Sequence, residues 1–287
     1  MYMAKISVFI LLSLMLIFSS CSITDNEQPD VFFLSLSNPK VKLPFINGDD
    51  THKITEVWAF SDGQILGVFP LPAKIPVVYT GLDTEITILA GIRNNGMADE
   101  PVFYPFYKSI VKVVKGEVGQ TISFPLEFIY VGNAKFPVNE SFEGNHCFTS
   151  DLDGKAKPEL VISSTSTSVG INSGVVTLTS NENFLEMACT NLIKKGENSR
   201  GKSYVELDYK GHGEIAVGLL KTGTALPKIS YHLFIPAREN WNKIYVDLTD
   251  QTSANDYNEY AIVISIQKTG SDPESKVFID NIKHIHF

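Results

Sequence analysis

The stretch "SYVELDYK" (residues 203–210) has the alternation that decides the fold. Apolar and charged side chains take turns along it, with Val205, Leu207 and Tyr209 on one side and Glu206, Asp208 and Lys210 on the other. Such a period of two predicts a β-strand with one buried face. The text that follows repeats this strand character in "EIAVGLLKT" (214–222), "KISYHLFIPA" (228–237), "NKIYVDLTD" (242–250), "YAIVISIQKT" (260–269) and "KVFIDNIKHIHF" (276–287).

Composition agrees with a β-sandwich and excludes some partners. The chain has 287 residues, with 18 Phe and 11 Tyr to fill cores, and its short runs are separated by Gly, Asn, Asp and Pro. Many short strands with such turn signals are typical of sandwiches. The net charge of -8, without basic clusters, argues against nucleic acid and against electrostatic docking to anionic lipid.

Two domains are predicted. The first covers residues 31–136 and contains a hairpin in which "SDGQ" (61–64) is the turn, because its glycine can take a positive φ. The second covers residues 140–287. The boundary is placed near "NAKFPVNESFEG" (133–144), where Pro137 and Asn139 interrupt the strand pattern.

Two parts of the sequence resemble known families and make the expected fold more specific. The segment "VWAFSDGQILGVFPLP" (57–72) resembles PEGA-type and carboxypeptidase-regulatory-like β-sandwich modules of bacterial envelope proteins, and together with "YPFY" (104–107) it is also similar to Bacteroidetes lipoproteins. The opening "ESFEG" (140–144) and the last strands, from "NWNKIYVDLTD" (240–250) onward, resemble galactose-binding-like jelly rolls, the fold of many carbohydrate-binding modules. Together they imply an all-β chain of an Ig-like or PEGA-like sandwich and a jelly roll, with glycan as the expected partner.

The N-terminus has the pattern of a lipoprotein signal. Lys5 precedes thirteen apolar-rich residues, "ISVFILLSLMLIF" (6–18), and Ser19 and Ser20 stand before Cys21. The run is shorter than the roughly 20 residues of a membrane span, and the order resembles a bacterial lipobox. We therefore expect residues 1–20 to be removed. Cys21 would be acylated, for example with palmitate, and residues 21–30 would tether the protein to the outer membrane or cell surface.

Aromatic residues suggest places where a ligand could stack. Tyr104, Phe106 and Tyr107 form a dense cluster, and Trp241 begins a predicted strand. Such rings can stack on sugars, but each also buries about 150 to 250 Å² in a core. We expect core roles for most of the cluster, with one or two of its rings exposed or at the domain interface. Trp241 is expected to pack structurally, with a sugar platform as the alternative.

A structural calcium ion is the one cofactor that the resemblance suggests. In related modules a carboxylate from an "FE" opening and another from a terminal "DNI" bind calcium, and Glu143 and Asp280 match these positions. Asp280 also falls between Phe278 and Ile282 on one strand face, where an unpaired carboxylate would be costly to bury. The alternative is that Asp280 caps a β-bulge through backbone N–H groups.

The two cysteines of the second domain could either form a disulfide or remain free. Export would place Cys147 and Cys189 in a compartment where disulfides persist. They could form a bridge, or Cys189 could pack in "EMACTNL" (186–192) as a small apolar residue.

The resemblance to a catalytic motif is incomplete. Glu206 and Asp208 in "ELDY" resemble the E-x-D-x-x-E strand of laminarinase-type glycoside hydrolases, but Gly211 stands where the last Glu belongs. We expect these carboxylates on a solvated strand face, and likewise expect His284 and His286 to be exposed on an edge. The sequence thus predicts a non-enzymatic envelope lipoprotein that binds glycan or, alternatively, a structural or adhesin-type module that binds an envelope protein.

The lipid anchor gives the first testable prediction. Cys21→Ala removes the acylated side chain, so the variant should be released from membranes into the soluble fraction, while the native chain stays bound. Intact-mass analysis of the native protein should show a lipid-modified Cys21, and an unmodified cysteine would contradict the prediction.

Overall fold

The structure, a computed structural model, describes residues 29–43, 49–197, 201–223, 226–254 and 256–287. Within these ranges the chain is almost entirely β-strand, with a single short helix, α1 (Thr249–Ser253). The all-β prediction is confirmed. No helix in the described part is long and apolar enough to span a membrane. Residues 1–20 and Cys21 lie outside the described residues.

The first domain is a small β-sandwich built from three sheets. Their strand orders are β10-β1-β6, β11-β2-β3 and β5-β4-β7-β8, and β9 also pairs with β7. Inward residues of the first and third sheets share one core. The strands are β1 (Val31–Leu36), β2 (Lys40–Lys42), β3 (Asp49–Asp50), β4 (Glu56–Ser61), β5 (Gln64–Pro70), β6 (Ala73–Val78), β7 (Thr84–Arg93), β8 (Pro101–Phe103), β9 (Ile110–Val114), β10 (Thr121–Ser123) and β11 (Glu127–Ile129).

The predicted hairpin joins β4 to β5. Asp62 and Gly63, at its tip, both have positive φ, +47° and +76°. Two such residues in succession form the tight turn that matches the twist of paired strands. Asp is one of the residue types that tolerate the left-handed region. The Asp62 side chain also accepts the backbone N–H of Glu85, on the neighbouring strand β7, at 2.9 Å.

The second domain is a jelly-roll sandwich of two larger sheets. The junction sheet has the order β14-β15-β23-β18-β21, with β12 also paired to β23; the outer sheet has the order β13-β16-β22-β19-β20, with β17 also paired to β22. The strands are β12 (Lys135–Glu140), β13 (Phe148–Asp151), β14 (Leu160–Ser163), β15 (Ser173–Thr179), β16 (Phe184–Cys189), β17 (Ile193–Lys194), β18 (Ser203–Gly211), β19 (Gly213–Thr222), β20 (Lys228–Ile235), β21 (Arg238–Asp247), β22 (Glu259–Lys268) and β23 (Glu274–His286).

Strand β12 crosses the predicted domain boundary. It starts at Lys135, which pairs with His286 of β23. The sheet of the second domain therefore begins five residues before position 140, where that domain was predicted to start. Because β12 lies along β23, the expectation of exposed edge histidines is wrong. His284 and His286 are fully buried, and burial lowers the pKa of His284 to about 3, so its imidazole stays neutral.

The alternation in β18 divides its residues between two different buried environments. Val205, Leu207 and Tyr209 point into the sandwich core, as predicted. The expectation of a solvated opposite face is wrong, because Glu206 and Asp208 are 0% and 1% exposed. Tyr104 and Tyr130 of the first domain cover Glu206, whereas Asp208 is covered partly by its own domain, where Ser168 Oγ donates to Asp208 Oδ2 at 2.9 Å.

Aromatic rings form the apolar part of the interface between the first domain and the junction sheet. Tyr104, Phe106 and Tyr107 are all buried, so the ligand-stacking alternative for them is wrong. The Tyr104 ring packs edge-on against Tyr204 of β18 at 5.4 Å and tilted against Tyr245 of β21 at 4.9 Å. These rings belong to the domain interface because the strands of the junction sheet supply their partners.

Buried ion pairs form the polar part of this interface. Lys283 Nζ lies 2.9 Å from Asp50 Oδ2, and Lys243 Nζ lies 3.0 Å from Glu206 Oε2. The Tyr130 hydroxyl lies between the two carboxylates, 3.1 Å from Asp50 and 2.9 Å from Glu206. Residues of both domains thus complete one network, which we call the junction network.

Charge pairing in the junction network outweighs burial for two of its members. Burial alone would raise the pKa of Asp50, but the nearby Lys243 and Lys283 hold it below its ordinary value. Burial alone would lower the pKa of Lys243, but the carboxylates of Asp208 and Glu206 raise it. Both groups are therefore charged at neutral pH, and each depends on partners from across the network.

Breaking one pair of the junction network should destabilise the whole chain. Lys283→Met leaves Asp50 buried without its closest cation, so we expect the free energy of unfolding to fall by about 3 to 5 kcal/mol. Urea denaturation measures this loss. Adding Asp50→Asn to Lys283→Met removes the stranded charge and should recover part of it.

A matched control lies on the same strand. Lys276 pairs with Glu274 at 3.7 Å, and its side chain is 51% exposed, so Lys276→Met should change stability by less than about 1 kcal/mol. If Lys283→Met were as mild as this control, the junction network would not hold the domains as described.

Candidate functional site

The outward face of the outer sheet is the large sheet face that the first domain does not cover. On β19, Ile215, Val217 and Leu219 point into the core, so the residues between them point outward. The same alternation along β22 and β16 brings small side chains together on this face. The floor that they form consists of Ala188, Ala216, Gly218, Ala261 and Val263.

Tyr231 of β20 packs over this floor. The cluster of Ala188, Ala261 and Val263 is buried although it faces outward, because Tyr231 and larger aliphatic neighbours cover it. The Tyr231 hydroxyl donates a hydrogen bond to Glu186 Oε1 on β16. Since β19 and β22 lie between those two strands, the side chain must extend across the floor. We call Tyr231, its floor and Glu186 the tyrosine platform.

A glycine and a bulge make this arrangement possible. The register between β19 and β20 shifts between Val217 and Gly218, so that Gly218 faces Tyr231. A Cβ at Gly218 would come within 2.5 Å of the Ser230 carbonyl oxygen and 2.8 Å of the Tyr231 Cα. A larger residue would therefore push β20 away, and only glycine allows the close approach.

Phe234 provides a second ring on the same side. Because of the bulge, Phe234 faces Ala216 and also points outward, with 60% of the residue exposed. Its ring centroid lies 6.0 Å from that of Tyr231, with the planes tilted by 44°. The face therefore presents two neighbouring rings, one held over the floor and one open to solvent.

The electrostatics keep Tyr231 a neutral donor. Burial and the hydrogen bond to the Glu186 carboxylate both raise the pKa of Tyr231 above its ordinary value. The phenol therefore keeps its proton at physiological pH. The bond to Glu186 fixes the ring's orientation before any ligand arrives, which lowers the entropy cost of binding.

Trp241 lies on the other sheet and is half-buried. Its ring packs edge-on against Phe278 at 6.4 Å, and its indole Nε1 donates to Ser166 Oγ at 3.2 Å. Lys210 Nζ lies 5.8 Å from the indole centroid. These contacts suit the packing role expected from the sequence, and that role stays a prediction.

Asp280 and Glu143 hold one loop, residues 164–172, rather than facing a common cavity. Asp280 Oδ2 accepts the backbone N–H groups of Ser168 and Val169 at 3.0 and 3.2 Å, and Oδ1 accepts that of Asn281 at 2.7 Å. Glu143 Oε1 accepts the N–H groups of Ile171 and Asn172 at 2.7 and 3.1 Å.

These surroundings do not fit the predicted calcium ion. Amide hydrogens present positive charge to both carboxylates, whereas calcium requires a shell of oxygen ligands. Across the described residues, no group of three or more His, Cys, Asp or Glu side chains is placed to hold a metal. The geometry at Asp280 matches the alternative, a carboxylate that caps the bulge at Asn281, whose φ is +48°.

Cys147 and Cys189 form a disulfide, with their Cα atoms 4.8 Å apart. It joins the segment leading into β13 to the end of β16. Cys189 is also buried in the sandwich core, so the bridge fixes the edge strand beside Glu186. The bridge thereby holds β16, the strand that carries Glu186, which accepts the hydrogen bond of the Tyr231 hydroxyl.

Comparison with known proteins identifies no family for this chain. No protein-family model matches the chain, and no curated protein matches its sequence. A carbohydrate-binding module of the β-sandwich superfamily, from a study of promiscuous specificity, is similar at 16% identity and a TM-score of 0.39, covering 80% of this chain and 84% of that one.

Two further solved structures match the chain over about half its length. One is the family 11 carbohydrate-binding module of a Clostridium thermocellum cellulosomal cellulase (14% identity, TM-score 0.38, 54% of this chain and 95% of that one). The other is a family 30 carbohydrate-binding module (16% identity, TM-score 0.37, 51% and 98%). At this level of similarity the ligands of these modules carry no argument for this chain.

The role of Asp280 can be tested through pH and chelation. Burial raises the pKa of Asp280 to about 6. An acid whose pKa is raised on folding binds more protons in the folded state, so its contribution to stability is lost as pH rises from about 4 to about 7. Asp280→Asn lacks this titration, so the melting temperature of the native chain should fall relative to the variant over that interval.

Chelation separates the calcium interpretation from the bulge cap. We expect EDTA to leave the melting temperature of the native chain unchanged at neutral pH. A drop with EDTA that calcium reverses, and that Asp280→Asn abolishes, would restore the calcium site and contradict the assignment.

Proposed function

We propose that the protein is a non-enzymatic, lipid-anchored envelope protein that binds glycan on the tyrosine platform. The observation that carries this proposal is the Tyr231 ring, extended over a floor of small residues and held by Glu186. An aromatic face fixed in place offers apolar contact area to the C–H face of a sugar ring. The carboxylate of Glu186, beside the ring, offers acceptors for sugar hydroxyl groups.

The shape of the face suits a chain of sugars rather than an enclosed small molecule. The outer sheet is five strands wide along its main path, which corresponds to roughly 20 Å at about 4.8 Å between strands. Beyond Glu186, a cleft of about 340 Å³ opens beside the edge strand β13, lined by residues including His146, Asp151 and Lys155. Polar groups thus continue from the platform towards that edge.

Burial of the "ELDY" carboxylates supports a role without catalysis. A glycoside hydrolase needs its two carboxyl groups exposed to substrate and water. Glu206 accepts hydrogen bonds from Tyr104 and Tyr130 of the first domain and pairs with Lys243, and it is fully buried. We therefore assign Glu206 and Asp208 to the junction network and propose that the chain is not an enzyme.

The sequence supplies the proposed location. Acylation of Cys21 would anchor the chain, and the nine residues 22–30 reach at most about 30 Å at ~3.3 Å per residue. The folded part would then sit close to the outer membrane or cell surface. A glycan-binding face at that distance suits capture of polysaccharide beside the envelope.

A second candidate function is docking to another envelope protein. Val111 and Val113 on strand β9 of the first domain are 52% and 65% exposed. Among the described strands β9 pairs with β7 alone, so its open backbone edge can receive a strand from a partner, and the exposed valines add apolar contact area. This would make the chain a structural or adhesin-type module without requiring the tyrosine platform.

Glycan binding and its dependence on Tyr231 can be measured directly. The chain from Ser22 onward should bind one or more polysaccharides on a glycan array, and calorimetry then gives the affinity for the best of them. Tyr231→Ala should weaken that affinity by about tenfold or more, since ~1.4 kcal/mol of stacking corresponds to tenfold. Tyr231→Phe keeps the ring and should weaken it less.

Phe103→Ala is the matched control, because it removes a half-exposed ring from the first domain. It should bind glycan as the native chain does. An array without any bound glycan, or native affinity in a folded Tyr231→Ala variant, would contradict the proposed function.

A further inference from the structure

A small pocket lies where the two domains meet, at the end of the outer sheet. Its volume is about 90 Å³, the space of roughly three water molecules. The first domain contributes Lys53, Arg93 and Asn95, and the second contributes Arg238 and Asn242 together with the residues around them. We call this the junction pocket.

The walls of the junction pocket are tied together across the domain boundary. The Asn95 backbone N–H donates to the Tyr245 carbonyl at 3.0 Å, and the Asn95 side chain accepts the N–H of Asp247 at 2.9 Å. The Lys53 backbone N–H donates to the Tyr245 hydroxyl at 3.1 Å. Both domains therefore hold the pocket in one shape before a ligand arrives.

Four cationic residues line the pocket, and carboxylates neutralise two of them. Arg93 pairs with Glu56 at 3.0 Å, and Lys243 pairs with Glu206 at 3.0 Å. Lys53 and Arg238 have no carboxylate partner within the ranges that the structure describes. Lys53 Nζ instead donates to the neutral Asn242 Oδ1 at 2.6 Å.

This leaves two positive groups facing one pocket on a protein of net charge -8. Their mutual repulsion adds to desolvation: burial, and then the charge of Arg238, lower the pKa of Lys53. An anion in the pocket would offset the repulsion between Lys53 and Arg238. Guanidinium and ammonium groups together are also the donors that suit an oxyanion.

We propose that the junction pocket binds the carboxylate of an acidic sugar within the glycan chain that lies on the tyrosine platform. Phe234 makes the connection, because its ring centroid lies 6.0 Å from that of Tyr231 and Phe234 also lines the pocket. The pocket has room for one oxyanion but not for a whole sugar ring. The inference rests on the proposed function and narrows its ligand to polysaccharides that contain uronic acid.

Matched ligands test the inference on the chain from Ser22 onward. A uronic-acid oligosaccharide and the same oligosaccharide with its carboxyl groups reduced to alcohols differ only in the proposed contact. We expect reduction to weaken binding roughly tenfold, the effect of losing one charge-assisted interaction. Inorganic sulfate and free glucuronate, at constant ionic strength, should compete with the acidic oligosaccharide, whereas glucose should not.

Matched variants locate the contact. Lys53→Gln and Arg238→Gln should each weaken binding of the acidic oligosaccharide and leave binding of the reduced one unchanged. Lys115→Gln, which removes an exposed cation elsewhere on the first domain, should change neither. A melting curve for each variant establishes that it is folded.

The outcomes separate this inference from the proposed function. Equal affinity for the two oligosaccharides, or equal effects of Lys53→Gln and Lys115→Gln, would overturn the junction pocket while glycan binding on the platform still stood. Saturable binding of glucuronate that Lys53→Gln removes, without binding of any oligosaccharide, would keep an oxyanion site but overturn its link to the platform, and the proposed function with it.

Discussion

The junction network is the constraint on which the rest of the structure depends. Lys243 and Lys283 stand on strands β21 and β23, and their carboxylate partners come from both domains. Buried charges are tolerated only when each is paired and hydrogen-bonded. Separating the first domain from the junction sheet would break the Asp50–Lys283 ion pair and the hydrogen bonds from Tyr104 and Tyr130 to Glu206. It would also expose the aromatic contacts around Tyr104 to water.

This placement determines which face of the jelly roll remains open for binding. With the junction sheet largely covered by the first domain, the outer sheet presents Tyr231 and Phe234 to solvent. The same placement forms the junction pocket, because Lys53 and Arg238 belong to different domains. One interface thus seals the "ELDY" carboxylates away from water and creates a basic pocket beside the open face.

Local patterns in the sequence predicted the strands but not their surroundings. Alternation placed Val205 and Leu207 correctly in the core, yet it could not show that Glu206 is buried, because Tyr104 and Tyr130 cover it from far away in the chain. Tyr231 and Phe234 are three residues apart, so regular alternation would put them on opposite faces. The bulge opposite Gly218 brings them to one face, and no sequence period signals it.

Oxidative footprinting of tyrosines, with and without a bound polysaccharide, tests the central claim most directly. We expect Tyr231 to be modified in the free protein and protected by the polysaccharide, while Tyr104, Tyr107 and Tyr130 stay unmodified in both states. Modification of the three junction tyrosines in the free protein, or protection that leaves Tyr231 unchanged, would contradict the assignment of a sealed junction and an open binding face.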